Sequence, residues 1–300
     1  MAIRPCYTSR KMNNTKIPPE SLRDAVSHLN SLPAIPKIAQ EILSLKLITD
    51  EGERALLKLL ERDPLLSAKV IGLSNAPLFG ASKQIMTVRD AATVLGIKRV
   101  KMIALGFAMM STMTQSPTGL LNVQNLWQHS LTVAMAMHTL SRAMPRDMRP
   151  LDDEIFLAGL LHDIGFLVLN HINPKLSDKF HARLSTEAGQ SVEEIEAEML
   201  EMNHSELGAE LGRYWGLPET IVAVLRYHHQ PDDAKATVGQ PLVRMTNMAE
   251  KLLPTFGMPE HTPSDVSIEE WQALGIDTSK VDEIMALVQK HNQEVVATFT

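Results

Sequence analysis

The segment Glu154-Ile-Phe-Leu-Ala-Gly-Leu-Leu-His162-Asp163-Ile-Gly-Phe-Leu-Val-Leu is almost wholly apolar, and its two ionisable residues stand together at its centre. Charge placed among apolar side chains is expensive unless it is paired or bound to a metal. An adjacent histidine and aspartate offer a neutral nitrogen and an anionic oxygen, a donor set that suits a divalent cation. Further donors lie in other segments: His129 in Trp127-Gln-His-Ser-Leu, His204 in Asn203-His-Ser-Glu-Leu-Gly, and the doublet His228-His229 closing Leu225-Arg-Tyr-His-His. Each ends or interrupts a separate expected helix, and helices packed around a common core bring such residues together. Simpler roles compete with this reading. His204 suits a helix start, His229 suits a helix C-terminus where the dipole favours a cation, and Asp163 suits an orienting hydrogen bond to an imidazole. His28, His138, His171, His181, His261 and His291 have no comparable context and read as structural or exposed.

The elements that must position these residues are helical. Apolar residues recur at helical spacing over most of the chain, and strand-like alternation is scarce. Pro19, Pro36, Pro64 and Pro218 each precede an amphipathic run, where a missing N–H costs nothing. Asp63 reads as an N-cap, and capping boxes read at Thr87 with Asp90, Ser191 with Glu194 and Ser267 with Glu270. The pattern predicts about a dozen helices, at 20–30, 36–47, 52–62, 64–75, 87–95, 98–113, 122–143, 152–170, 191–212, 218–229, 240–253 and 278–297. A Ser/Pro/Thr/Gly stretch at 114–122 reads as a linker between two subdomains, 19–114 and 122–255. A polar tail is expected over 1–18 and a helical extension over 256–300.

Composition narrows the function classes. A formal net charge of -6 provides no global field for phosphate backbones, so nucleic acid is not an expected partner. The basic cluster Lys98, Arg99 and Lys101 reads as a solvated surface. A single cysteine, Cys6, rules out an intrachain disulfide, and no apolar run reaches bilayer-spanning length. A cytoplasmic protein with no membrane partner is expected. The aromatic content of 4% and the 17 methionines point to a core of aliphatic and Met side chains, which suits helices.

Leu160-Leu-His-Asp-Ile-Gly resembles the signature of the HD superfamily of metal-dependent phosphohydrolases. Leu32-Pro-Ala-Ile-Pro, Glu61-Arg-Asp-Pro-Leu-Leu, Leu73-Ser-Asn75, Ala91-Ala-Thr-Val-Leu-Gly-Ile-Lys-Arg, Trp127-Gln-His-Ser and Tyr214-Trp-Gly-Leu-Pro narrow the likeness to the HDOD branch, over residues 20 to 255. The resemblance implies an all-α fold, an N-terminal helical bundle packed on an HD-like helical core, in a bacterial signalling protein. It also implies a metal site, with His129 as first ligand, His162 and Asp163 as second and third, and His204 with His228 or His229 as the additional histidines of binuclear members. The closing aspartate of catalytic relatives falls at Asn247 in Arg244-Met-Thr-Asn-Met-Ala-Glu, with Glu250 one turn along as the alternative.

A neutral amide at the closing position leaves one carboxylate for the ion and lowers metal affinity. The leading expectation is therefore a regulatory module without catalysis, working through a signalling partner or as a homo-oligomer and retaining a site for Fe, Mn, Zn or Ni. The alternative is a phosphohydrolase acting on a nucleotide or other phosphoester, with Asp163 in the catalytic role. A third reading has the histidines and Arg226 hold a nucleotide or phosphorylated small molecule without turnover.

Overall fold

A computed structural model describes residues 21–27, 32–113, 119–187, 190–254 and 264–299. Cys6, His28, His261 and the expected tail over 1–18 lie outside the described residues. The first half holds α1 (Leu22–Ser27), α2 (Lys37–Ser44), α3 (Asp50–Glu61), α4 (Pro64–Ser74), α5 (Val88–Leu95) and α6 (Ile97–Met113). The second half holds α7 (Val123–Ala143), α8 (Asp152–Leu161), α9 (Ile164–Ile172), α10 (Pro174–Thr186), α11 (Val192–Met199), α12 (His204–Tyr214), α13 (Glu219–Tyr227), α14 (Leu242–Leu252), α15 (Ile268–Ala273) and α16 (Val281–Phe299). No strand occurs among the described residues, so the fold is all-α.

Helix α7 is the axis of the packing. Every residue from His129 to Ser141 is buried, because α8, α14 and α16 pack against it from different sides. Helix α6 covers the far face of α8 and so joins the first half of the chain to the second. The apolar core is continuous across both halves. Trp215 ties them further, with its buried Nε1 donating to the Pro33 carbonyl at 2.9 Å. No single described helix is long and apolar enough to cross a membrane.

The N-caps follow the sequence signals. Asp63 accepts from the Leu66 N–H at 2.9 Å, and Ser191 with Glu194 and Ser267 with Glu270 form complete capping boxes. Thr87 accepts from the Asp90 N–H and its hydroxyl donates to the Asp90 carboxylate.

Three boundaries differ from expectation, each for a local reason. The run 152–170 is two helices, bent by 42° at His162-Asp163. Asp163 leaves helical geometry (φ -99, ψ 15), and its side chain makes no cap. Its carboxylate faces the histidines instead. The run 191–212 also divides, because Asn203 and Glu206 form a second capping box that restarts the chain as α12. Helix α10 was not expected, although Asn173 caps it and Pro174 occupies its first turn.

Glycine explains how closely the site helices approach. A Cβ at Gly159 would fall 2.5 Å from Ala134 Cα, and one at Gly165 would fall 1.8 Å from the His204 carbonyl oxygen. The glycine after His162-Asp163 therefore lets α9 reach the N-terminus of α12, which carries His204. Replacing Gly165 by alanine forces the two backbones apart. We expect Gly165→Ala to destabilise the fold by about 1–3 kcal/mol in chemical denaturation, the usual penalty of overpacking. An unchanged unfolding midpoint would contradict the close approach.

Candidate metal centre

Four separate chain segments deliver imidazoles to one buried carboxylate. His129 comes from α7, His162 and Asp163 from the bend between α8 and α9, His204 from the first residue of α12, and His228 and His229 from the end of α13. His129, His162, Asp163, His204 and His228 are buried, while the His229 side chain retains 25% exposure.

The two oxygens of Asp163 face different groups. Oδ2 lies 3.1 Å from His162 Nε2 and 3.5 Å from His129 Nε2. Oδ1 lies 3.5 Å from His228 Nε2 and 3.6 Å from His204 Nε2. Glu250, buried on α14, reaches His162 Nε2 at 3.5 Å. One set of donors is thus His129, His162, Asp163 and Glu250. The other is Asp163, His204, His228 and His229. Within each set the ligand atoms lie within 4.8 Å of one another.

The hydrogen bonds behind the rings fix which nitrogen faces inward. His162 Nδ1 donates to the Gly159 carbonyl at 2.8 Å, and His228 Nδ1 donates to the Val224 carbonyl at 3.0 Å. His204 Nδ1 donates to the Glu196 carboxylate at 2.8 Å, and His229 Nδ1 faces Glu193 Oε1 at 3.1 Å. With hydrogens on Nδ1, each ring turns its Nε2 lone pair into the cluster. Nε2 atoms then meet at 3.3 Å (His129 and His162), 3.3 Å (His204 and His228) and 3.1 Å (His204 and His229). Where the Nδ1 hydrogens are fixed, the His204 Nε2 lone pair cannot face those of His228 and His229 at such distances without a cation between them, either a proton or a metal ion.

The electrostatics agree. Burial alone would lower the His162 pKa, yet Asp163 and Glu250 hold it well above the ordinary histidine value. Burial likewise disfavours charge on His204, but Glu196 raises it to about 9. Burial would raise Asp163, and His162 and its neighbours instead hold it well below the usual carboxylate range. Burial and His228 push His229 down to about 3. Asp163 Oδ1 and Glu250 Oε2 are buried and accept no hydrogen bond among the described residues. Unsatisfied anionic oxygens beside inward lone pairs form a donor set that fits a divalent cation. Mixed imidazole and carboxylate donors favour a first-row transition ion over Mg²⁺ or Ca²⁺, and binding one would displace protons.

Asn247, at the expected closing position, also makes a contact of its own. It is buried on α14, and its Nδ2 donates to the His228 carbonyl at 2.8 Å, so it braces the backbone beside a histidine. Glu250, one turn further on, brings the second carboxylate. The alignment of Arg244-Met-Thr-Asn-Met-Ala-Glu alone leaves the register open by a turn, and a longer side chain compensates for the extra distance. Glu196 was missed altogether. It is buried on α11 and accepts from both the backbone N–H (2.7 Å) and the ring of His204, a role that only tertiary packing reveals. Arg226 points to neither set and pairs with Glu206 at 3.1 Å.

A cavity of about 440 Å³ opens over His229, Asn247 and Glu250. Its other ionisable lining residues are Glu193, Asp232, Glu270 and Lys251, and Lys251 pairs with Glu270. Arg244 alongside is engaged by Asp232 at 2.6 Å.

An all-α core with histidines gathered on a His-Asp bend defines an HD-type protein. The HDOD domain profile matches residues 32–231, and the chain belongs to the HDOD family. It is similar in structure to an inferred signal transduction protein from Marinobacter aquaeolei VT8 (TM-score 0.71, 24% identity, 93% of this chain and 64% of that one). An HDOD domain protein from Geobacter sulfurreducens gives a TM-score of 0.67 at 24% identity, covering 90% and 96% of the two chains. An inferred phosphohydrolase from Shewanella amazonensis SB2B gives 0.69 at 20% identity, covering 92% and 98%. At these identities the likeness establishes the fold. A curated protein of Treponema pallidum (strain Nichols), itself uncharacterized, is 22% identical over 251 residues, covering 80% of this chain, which spans about half (47%) of that relative's length.

The different roles of Asn247 and Glu250 are separable by substitution. Glu250→Gln should weaken divalent-metal affinity by at least about 10–100-fold, the size found even for outer-sphere partners. Asn247→Asp should bring no gain in affinity, and it should cost about 1–3 kcal/mol of stability by replacing a donor to the His228 carbonyl with an acceptor. Metal titration and denaturation of the two variants check both, and tighter binding by Asn247→Asp would contradict the assignment.

Proposed function

We propose that this HDOD protein is a bacterial signal-transduction module whose buried centre holds a divalent transition metal, and that it acts through a protein partner or a second copy of itself rather than by turnover. The supporting observation is the convergence of five histidines, Asp163 and Glu250 on one buried point, beneath a mouth where each described cation is already paired with a carboxylate. Binding of phosphate esters needs unpaired cationic or N–H donors aimed at the phosphoryl oxygens. The mouth sets three carboxylates, Glu193, Asp232 and Glu270, against two cations, Lys251 and Arg244, so no net positive charge draws a polyanionic substrate to the centre.

The metal readings are Fe, Mn, Zn or Ni. His129, His162, Asp163 and Glu250 would hold one ion, and His204, His228 and His229 would share Asp163 in holding a second. In the chain itself, Glu196 and the Gly159 and Val224 carbonyls keep the rings oriented, and the apolar walls of α8 and α9 exclude water.

Asn247 argues for weak catalysis, and Glu250, as a second carboxylate, argues against it. A second reading, metal-dependent phosphoester hydrolysis, is favoured by this complete donor set. There the metal would polarise a phosphoryl oxygen and acidify a water, and Asp163 would be the carboxylate nearest the reacting atoms.

Elemental analysis of the purified chain, with a panel of nucleotides and simple phosphoesters assayed on wild type, His162→Ala and Asp163→Ala, separates these readings. We expect bound transition metal that is lost in both variants, and no turnover above background. Metal-dependent turnover abolished by both substitutions would overturn the regulatory reading in favour of the hydrolase. Metal-free wild-type protein would overturn the metal centre itself.

A further inference from the structure

A second cavity, of about 600 Å³, lies between the Pro77–Phe79 turn, the C-terminal end of α7 and the first half of α16. It is remote from the metal centre: Arg142, in its wall, is thirteen residues beyond His129 on α7, roughly 20 Å along the helix. Its walls differ from those of the acidic mouth. Phe79, half-buried, and Leu287, 39% exposed, present an aromatic and an aliphatic surface, with Ile284 buried beneath. Arg142 and Lys280 both line the cavity with exposed side chains, and neither forms an ion pair within 4 Å among the described residues. Neighbouring arginines are already engaged: Arg99, which lies 6.0 Å from the Phe79 ring centroid, pairs with Asp152, and Arg149 donates to the Met144 and Arg142 carbonyls.

Behind this wall His138 is buried, with its ring against Phe79 (centroids 5.8 Å) and Phe156 (5.7 Å). Burial, reinforced by Arg99 and Arg142, pushes its pKa down to about 4, so it stays neutral and adds no charge to the site. The wall thus carries net positive charge next to an apolar surface, with one carboxylate, Glu283, among its lining residues.

We infer that this cavity is a ligand site for a nucleoside phosphate, with the base against Phe79 and Leu287 and the phosphate between Arg142 and Lys280. Glu283 supplies an acceptor for a ribose hydroxyl or a base amino group. Planar apolar surface beside two cations that lack carboxylate partners is the combination that a nucleotide requires: stacking recognises the base, and charge-assisted hydrogen bonds recognise the phosphate. The ligand would bridge α16 to α7, the helix that carries His129. The site is independent of whether the metal centre turns over a substrate.

Titration calorimetry on the full chain, with ADP, GDP, adenosine and inorganic pyrophosphate as probes, tests this. A nucleoside diphosphate should bind more tightly than either adenosine or pyrophosphate, and chelation of metal should leave that binding unchanged. Arg142→Glu and Lys280→Glu, both exposed, should each weaken it at least ~10-fold, the scale of one lost charge-assisted contact, with helical circular dichroism and bound metal unaltered. Absence of binding by both nucleotides at millimolar concentration would overturn the inference. So would binding that chelation abolishes but both charge reversals leave intact, which would place the nucleotide at the metal centre. Equal affinity for pyrophosphate would reduce the site to a simple anion patch and overturn the nucleoside part.

Discussion

The carboxylate of Asp163 is the group around which the rest of the second half is arranged. An ionised carboxylate with 4% exposure is tolerable only in the company of cations or strong donors, and here the company is four imidazole Nε2 atoms at 3.1 to 3.6 Å, two on each oxygen. Meeting that requirement fixes several larger features. The α8–α9 helix must break so that Asp163 turns inward. Helix α12 must begin at His204, and α9 must cross its start at a glycine. The His162, His204 and His228 rings must each donate their Nδ1 hydrogen to a carbonyl or carboxylate behind them, which accounts for the buried Glu196. Five histidines in one core would otherwise be a burden on stability. Arranged in this way they form a cluster whose charge is balanced by Asp163, Glu250 and Glu196.

Much of this was legible in the sequence because it depends on local chemistry. Apolar periodicity and capping residues such as Asp63, Ser191 and Ser267 act within a turn or two, so helix starts could be read directly. His162-Asp163 stood out because charge inside an apolar run has few explanations. The missed features are those decided by partners distant in sequence. The break at Asp163 is invisible to periodicity, since both flanking stretches are apolar on all sides. Glu196 looks like any other acid in the run Glu193-Glu194-Ile195-Glu196 until α12 is packed against it. Asn247 and Glu250 differ by one helical turn, and only the reach of each side chain from α14 decides which faces His162 and which faces the His228 carbonyl.

The two cavities have opposite chemistry, which bears on how such a module would work. The mouth over the histidines is acidic and its cations are paired, so it is suited to admitting and holding a metal ion more than a phosphorylated substrate. The cavity beside α16 carries unpaired cations and an aromatic wall. Helix α7 runs from one to the other as a buried, rigid element, its residues 129–141 packed on all sides. In the proposed function, α7 links the metal centre to the ligand cavity.

Anomalous X-ray scattering, recorded from crystals of the full chain at the absorption edges of manganese, iron, nickel and zinc, shows whether a transition metal sits beside Asp163. A metal centre at Asp163 gives at least one edge-specific peak within bonding reach of its carboxylate, flanked by imidazole Nε2 atoms and accompanied by Glu250. Crystals grown with these metals supplied that show no peak beside Asp163 at any edge would contradict it.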